Sequence, residues 1–160
     1  MGIYTLDTSA VVKRYVSERG SVWINTLCDP GSGNSLHIAR ITALEVVSAL
    51  ARRHRNGDID QTNFDTLIAR FQFDLRTQYE VVEIGPSLID EAMRFAIKHA
   101  LRGYDAVQLA ALSSIHETLS QNGLPLPMLI AADHDLLAAA SAEGFAVDDP
   151  NNHSSQFHEE

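Results

Sequence analysis

Short apolar runs alternate with longer amphipathic segments along the chain, a pattern typical of α/β domains. The apolar runs predict five strands, at 3–6, 36–41, 79–84, 127–131 and 145–147. Apolar residues spaced three and four apart predict helices from Thr8 and over about 21–28, 43–55, 61–77, 86–100, 104–122 and 134–143. Because strands alternate with helices, we expect a mostly parallel sheet that is covered by helices on both faces.

Four acids interrupt this pattern in otherwise apolar segments: Asp7, Glu45, Asp105 and Asp133. Asp7 and Asp133 each come just after a predicted strand. Glu45 lies in the first turn of the helix that follows the second strand, and Asp105 lies at a helix start. Functional sites of parallel α/β folds form at the carboxyl ends of the strands. We therefore expect the four carboxylates to converge at one edge of the sheet.

Such a convergence would need a cation. Two carboxylates about 5 Å apart repel by roughly 3 kcal/mol at an effective dielectric constant near 20. Several such pairs would rival the total stability of a domain, which is about 5–15 kcal/mol. The acids must then bind cations or become partly protonated. A site that offers only oxygen ligands favours Mg²⁺ or Mn²⁺ over zinc.

Each acid also has a structural interpretation. Asp7 and Asp133 could cap the helices that follow them, and Asp105 could interact with its helix dipole. Glu45 has the strongest alternative, since Thr42 and Glu45 match a capping box. Against that alternative, no cation lies three or four residues after Glu45, and its small neighbours leave room for a ligand. No single acid decides between the two interpretations.

Composition narrows the classes of function. The chain has 160 residues, a length suited to one domain, and the lone Cys28 excludes an internal disulfide and a cysteine zinc site. The sequence has no apolar run long enough for a bilayer and no recognisable secretory signal, so we expect a cytoplasmic protein without a membrane segment. The net charge of −9 argues against coating nucleic acid by bulk electrostatics, but it permits phosphate contact through a metal ion and a basic protein partner.

Two other α/β activities lack their residues. A phosphoaspartate enzyme or response-regulator receiver would need a second acid close to Asp7 and a late lysine, but Ser9 takes the first place and the only lysines are Lys13 and Lys98. The glycines at 31–33 do not form the G-x-G-x-x-G pattern of dinucleotide-binding proteins.

With these residues in place, the chain resembles the PIN-domain ribonucleases, specifically the VapC-type toxins of type II toxin–antitoxin pairs. Four segments carry the resemblance in order: LDTSAVVKRYV, ARITALEVVSALARR, GYDAVQLAA and AADHDLLAAASAEGFAVDDP. The resemblance implies a three-layer α/β/α PIN-like domain, which we place at 1–150. The polar composition of residues 151–160 predicts a disordered tail.

The resemblance implies hydrolysis of RNA with Mg²⁺ or Mn²⁺, with transfer RNA or ribosomal RNA as the usual substrates. Asp7 and Asp105 match the positions of direct metal ligands. Glu45 and Asp133 complete the acidic set, and Ser9 matches a hydroxyl position beside the site.

Four other positions carry lesser expectations. Asp135 is a secondary candidate because it lies two residues after Asp133 and therefore points to another helix face. Arg52 and its neighbour Arg53, in the basic patch 52–55, could contact RNA phosphate or could be solvated residues at the helix end. Ala131 stands where the family often has Ser or Thr, so one polar contact would be missing.

The resemblance also implies a small antitoxin that wraps the nuclease, and the acidic charge of the chain suits a basic partner. The helical region 43–77 carries apolar residues that could contact this partner or a second copy in a homodimer, or could belong to the core: Phe64, Leu67, Phe71 and Phe73. The alternative function is a catalytically silent PIN-like scaffold that binds RNA or protein.

Overall fold

A computed structural model describes residues 1–153 and contains a five-stranded, fully parallel sheet. The strands are β1 (Ile3–Leu6), β2 (Ser35–Ala39), β3 (Tyr79–Val82), β4 (Met128–Ile130) and β5 (Ala146–Asp148). Their order in the sheet is β3-β2-β1-β4-β5. The chain therefore builds outward from β1 in both directions, and the switch point between β1 and β4 is where parallel α/β folds place their sites.

Seven α-helices cover the two faces of this sheet in the described part of the chain. They are α1 (Thr8–Tyr15), α2 (Ser21–Leu27), α3 (Arg40–Arg55), α4 (Gln61–Thr77), α5 (Pro86–His99), α6 (Gly103–Gln121) and α7 (His134–Ala142). One apolar core joins the sheet to α1–α4, and a second core on the other face joins it to α5–α7. Neighbouring residues of β4 alternate between these cores, Leu129 in one and Ile130 in the other. The predicted three-layer α/β/α architecture is confirmed.

The start of α3 differs from the prediction. The strand β2 ends at Ala39 and the helix begins at Arg40, two to three residues earlier than expected. Thr42 is fully buried inside the helix, where its Oγ1 accepts a hydrogen bond of 2.6 Å from Gln108 Nε2 of α6. The Thr42 hydroxyl that a capping box would need is therefore engaged in a tertiary hydrogen bond. Glu45 lies in the second helical turn, so its predicted placement in the first turn is wrong, and the structure does not form the capping box that was its alternative interpretation.

The ordered chain extends beyond the predicted boundary at 150. Residues Pro150–Asn152 form a short 3₁₀-helix, and the ring of His153 stacks on Trp23 with 4.0 Å between ring centroids. His153 Nε2 also lies 2.8 Å from Asp148 Oδ2. The predicted tail is therefore wrong for 151–153, because an aromatic contact from α2 holds this segment. The rest of the predicted tail, 154–160, lies outside the described residues.

The apolar residues of region 43–77 divide between core and surface. Phe71 is fully buried, and Phe64 and Leu67 are partly buried against the same core. Phe73 has 56 % of its surface exposed. The core alternative therefore holds for Phe71, and only Phe73 offers a large exposed ring. Over residues 1–153, no helix is long and apolar enough to cross a membrane.

A buried ionic network fastens α1 to α4 and β3. Arg14 Nη1 lies 3.5 Å from Asp74 Oδ2 and donates a hydrogen bond of 3.0 Å to Tyr79 Oη. The hydroxyl of Tyr15 donates to the same Asp74 oxygen at 2.8 Å. All four side chains are almost completely buried. Because a buried charge is stable only when it is paired, each member of this network depends on the others.

We expect Asp74→Asn to lower the free energy of unfolding by about 3 kcal/mol, because it leaves the Arg14 guanidinium buried without its counter-charge. Urea denaturation at neutral pH measures this loss. The control is Glu83→Gln, which breaks the exposed pair between Arg40 and Glu83 and should leave the unfolding midpoint unchanged. Equal losses in the two variants would contradict a special role for the buried network.

Candidate active site

A cleft of about 440 Å³ opens at the carboxyl ends of β1 and β4, and all four predicted acids line it: Asp7, Glu45, Asp105 and Asp133. The two strand ends are joined directly, because the backbone N–H of Asp7 donates a 3.0 Å hydrogen bond to the carbonyl of Ile130. The helices α3 and α6 bring the other two acids to the same place. The structure thus collects in one cleft residues that lie up to 126 positions apart in the chain.

Asp7 is the most deeply placed of the four, with 6 % of its surface exposed. Its Oδ2 accepts hydrogen bonds from the N–H of Ser9 at 3.0 Å and from the Ser9 hydroxyl at 2.5 Å. The same hydroxyl accepts a bond of 2.9 Å from the N–H of Ala132 and so ties the end of β1 to the segment after β4. Burial raises the pKa of Asp7 against the lowering effect of these hydrogen bonds, and the charge of Asp133 raises it further.

Glu45 presents an atom that the protein itself does not satisfy. Its Oε1 is buried and has no hydrogen-bond partner within residues 1–153. Burial raises the pKa of Glu45, and the negative charges of Asp7 and Asp105 add to this effect, whereas the nearby side chain of Thr8 opposes it. A buried oxygen without a partner costs free energy, so a ligand that pairs with Glu45 Oε1 would recover part of that cost.

Asp105 and Asp133 both line the cleft, each at the start of a helix. Partial burial raises the pKa of Asp105 to about 6, and the charges of Asp133 and Asp7 contribute while Arg102 opposes them. Asp133 caps α7, where its Oδ1 accepts a 3.0 Å hydrogen bond from the N–H of Leu136. The cap engages one carboxylate oxygen, so a capping role and a role in the cleft are compatible for Asp133.

The lesser candidates lie outside the cleft. Asp135 is exposed, and it affects the cleft only through its charge, which raises the pKa of Asp105. Arg52 lines an adjoining groove of about 300 Å³. Ala131 is completely buried in the core beneath α5–α7, and it is the next residue, Ala132, that lines the cleft.

Other side chains that line the cleft include Lys13, Glu18, Arg53, Arg102 and Tyr104. Of these, only Arg53 was named from the sequence, as a possible contact for RNA phosphate. Helical spacing provides the signal for two of them. Lys13 lies four residues after Ser9 on α1, and Arg53 lies eight residues after Glu45 on α3, so each shares a helix face with a candidate site residue. The cleft therefore combines an acidic region with basic side chains.

The donor chemistry of the cleft fits a divalent cation. Among residues 1–153, no three Asp, Glu, His or Cys side chains are arranged to hold one ion as they stand, so coordination would require side-chain rotation within the cleft. The four carboxylates offer only oxygen atoms, which Mg²⁺ and Mn²⁺ prefer. The unpartnered oxygen of Glu45 and the raised pKa values of three of the acids show that the cluster carries negative charge that the chain does not balance, and a divalent cation would offset it.

Comparison with known proteins identifies the family. No family model matches the sequence. Ribonuclease VapC45 of Mycobacterium tuberculosis is 32 % identical over 149 residues, which cover 92 % of this chain and 95 % of that relative. Among solved structures, PAE2754 from Pyrobaculum aerophilum aligns with a TM-score of 0.60 at 22 % identity, over 94 % of this chain and 91 % of the other. A toxin–antitoxin complex from Klebsiella pneumoniae contains a chain that aligns with a TM-score of 0.59 at 18 % identity, over 92 % and 97 %.

The two structural matches support the fold, and the sequence match extends over nearly the full length of both proteins. The resemblance drawn from the four sequence segments is thereby confirmed: this chain belongs to the VapC ribonuclease family.

Proposed function

We propose that this protein is a divalent-metal-dependent endoribonuclease and that it acts in the cytoplasm as the toxin of a toxin–antitoxin pair. The observation that carries the proposal is the convergence of four carboxylates in one cleft at the strand ends. The ribonuclease name of the related protein supports the same activity. Tyr104, which lines the cleft and is 59 % exposed, adds an aromatic surface on which an unpaired base can stack.

Each residue of the cleft has its own role in the proposed hydrolysis of RNA. Asp7 and Asp105 would hold the ion directly, with Glu45 and Asp133 completing the set. When bound, Mg²⁺ or Mn²⁺ supplies a water of lowered pKa and charge stabilisation at the phosphate. Ser9 fixes the orientation of Asp7 through its two hydrogen bonds. Glu45 Oε1, which the protein leaves unpartnered, orients the attacking water and accepts its proton.

Purified protein, free of any partner, should cut cellular RNA in the presence of Mn²⁺. Transfer RNA and ribosomal RNA are the expected substrates. Asp7→Asn should reduce cutting to the level seen without enzyme, because the replacement amide lacks the charge that holds the ion. Asp90→Asn, an equal change at an exposed position on α5, should cut like the wild type. Mapping the new 5′ ends identifies the RNA. RNA that stays intact, or equal cutting by Asp7→Asn and the wild type, would refute the proposed nuclease activity.

Metal binding can be measured without any substrate. We expect Mg²⁺ or Mn²⁺ to raise the Tm at pH 7.5, by an amount that corresponds to about 2.7 kcal/mol when the ion is at 100 times its Kd. The rise should be smaller at pH 5.5, because the pKa of Asp105 is about 6 and a protonated acid does not bind the ion. Without metal, stability should fall as pH rises from about 4 to 6, since the folded state keeps a proton that the unfolded state has lost.

Differential scanning calorimetry of the wild type, Asp105→Asn and Asp90→Asn measures these effects. Asp105→Asn should lose most of the metal-induced rise in Tm, and Asp90→Asn should keep it. A wild type whose Tm does not respond to either ion would favour the alternative function, a catalytically silent scaffold that binds RNA or protein.

We also propose that a basic antitoxin neutralises the protein. The net charge of −9 favours such a partner, and a structurally similar chain occurs in a toxin–antitoxin complex. The protein encoded by the neighbouring open reading frame should be retained in a pull-down after co-expression, and the complex should cut less RNA than the free protein. Failure to retain it would count against this partner. Phe73 offers exposed apolar surface for this partner or for a homodimer.

A further inference from the structure

The cleft has a basic end as well as an acidic one. On α1, Ser9 and Lys13 line it one helical turn apart, and on α3, Glu45 and Arg53 line it two turns apart. At 1.5 Å of rise per residue, Arg53 lies about 12 Å along α3 from Glu45. Along both α1 and α3, the cation therefore lies towards the C-terminal end of the helix, away from the acids. A cation at that end of the cleft is placed to contact a different phosphate of the strand from the one at the acids.

The two cations at the basic end, Lys13 and Arg53, already pair with a carboxylate of the protein, that of Glu18. The carboxylate of Glu18 accepts a hydrogen bond of 3.1 Å from Lys13 Nζ through one oxygen and one of 3.0 Å from Arg53 Nη2 through the other. The Lys13 ammonium also donates 2.9 Å to the carbonyl of Arg19. Donors from two helices therefore converge on the two oxygens of one anion, an arrangement that also suits the oxygens of a phosphate.

The Glu18 carboxylate is not needed to hold its own loop. The Ser21 hydroxyl accepts from the N–H of Glu18 at 2.9 Å and donates to the carbonyl of Val16 at 3.0 Å. The N–H of Ser21 donates to the carbonyl of Glu18, also at 3.0 Å. These three hydrogen bonds fix the turn between α1 and α2 without the carboxylate. The side chains of Glu18 and Arg53 are 31 % and 36 % exposed, so the carboxylate can move into solvent while Lys13, at 7 %, stays in place.

We propose that Lys13 and Arg53 form a phosphate-binding subsite for the RNA strand and that Glu18 occupies this subsite in the free protein. The proposal rests on the proposed function, since it assigns a second contact for the same substrate. When RNA binds, a phosphate next to the scissile one displaces the Glu18 carboxylate and takes over both cations. In a chain of net charge −9, such a local pair of cations is what allows a polyanion to approach the acidic end of the cleft.

The test measures binding of a labelled single-stranded RNA by fluorescence anisotropy at several salt concentrations. All proteins carry Asp7→Asn and the buffer contains a chelator, so that no RNA is cut. Arg53→Gln should weaken binding and reduce the slope of log K against log salt by about 0.7, the loss of one phosphate contact on a single strand. Arg55→Gln is the matched control, because it removes the same charge two residues later on α3, at an exposed position outside the cleft lining.

Glu18→Gln provides a second measurement with the opposite sign. Removing the competing carboxylate should tighten RNA binding about two- to fivefold, the range expected for a partly exposed ion pair. If Glu18 only holds structure, this variant should bind RNA equally or more weakly. Glutamine keeps a carbonyl acceptor for Lys13, and thermal unfolding of each variant checks the fold.

The outcomes separate this proposal from the nuclease proposal. Equal behaviour of Arg53→Gln and Arg55→Gln, or no tightening by Glu18→Gln, overturns the subsite even if the wild type cuts RNA. Opposite changes in Arg53→Gln and Glu18→Gln support the subsite even if the wild type cuts nothing, and the protein would then be an RNA-binding scaffold.

Discussion

The four carboxylates of the cleft repel one another, and the sheet and helices must hold them together against that repulsion. The parallel topology brings Asp7 and Asp133 to adjacent strand ends, and helices α3 and α6 add Glu45 and Asp105 to the same cleft. Burial disfavours their charged forms, which is why three of them have raised pKa values. Two apolar cores and the buried network of Arg14 offset this cost by holding the sheet and helices rigid around the cleft.

At two of the acids, the hydrogen bond that caps a helix also fixes the carboxylate in the cleft. Asp7 accepts from the N–H of Ser9 at the start of α1, and Asp133 accepts from the N–H of Leu136 in α7. Each cap fixes a carboxylate at a helix N-terminus, where backbone N–H groups favour its negative charge. Local helix chemistry thereby orients the groups that would bind an ion. Glu45 differs, because its oxygen has no such partner in the described structure and is therefore available to a ligand.

The distribution of charge within the cleft matters more for function than the net charge of the molecule. The acids cluster at the strand ends, whereas Lys13 and Arg53 lie further along α1 and α3. An acidic protein can then admit a polyanion at one place while most of its surface repels it. The same surface remains complementary to a basic protein partner.

The succession of strands and helices and the four candidate acids could be predicted from the amino-acid sequence alone. The predicted bounds of α4, about 61–77, match the structure because the amphipathic periodicity of this segment is a local signal. The acids were recognisable because polar residues at the ends of apolar strands are costly without a purpose.

The positions of Thr42 and His153 could not be predicted in this way, because their contacts, Gln108 and Trp23, lie on elements distant in the chain. Nor could the meeting of Glu18, Lys13 and Arg53 be predicted. Helical spacing shows which residues share a face, but the packing of whole helices decides which faces meet, and Glu18 and Arg53 lie 35 residues apart in the chain.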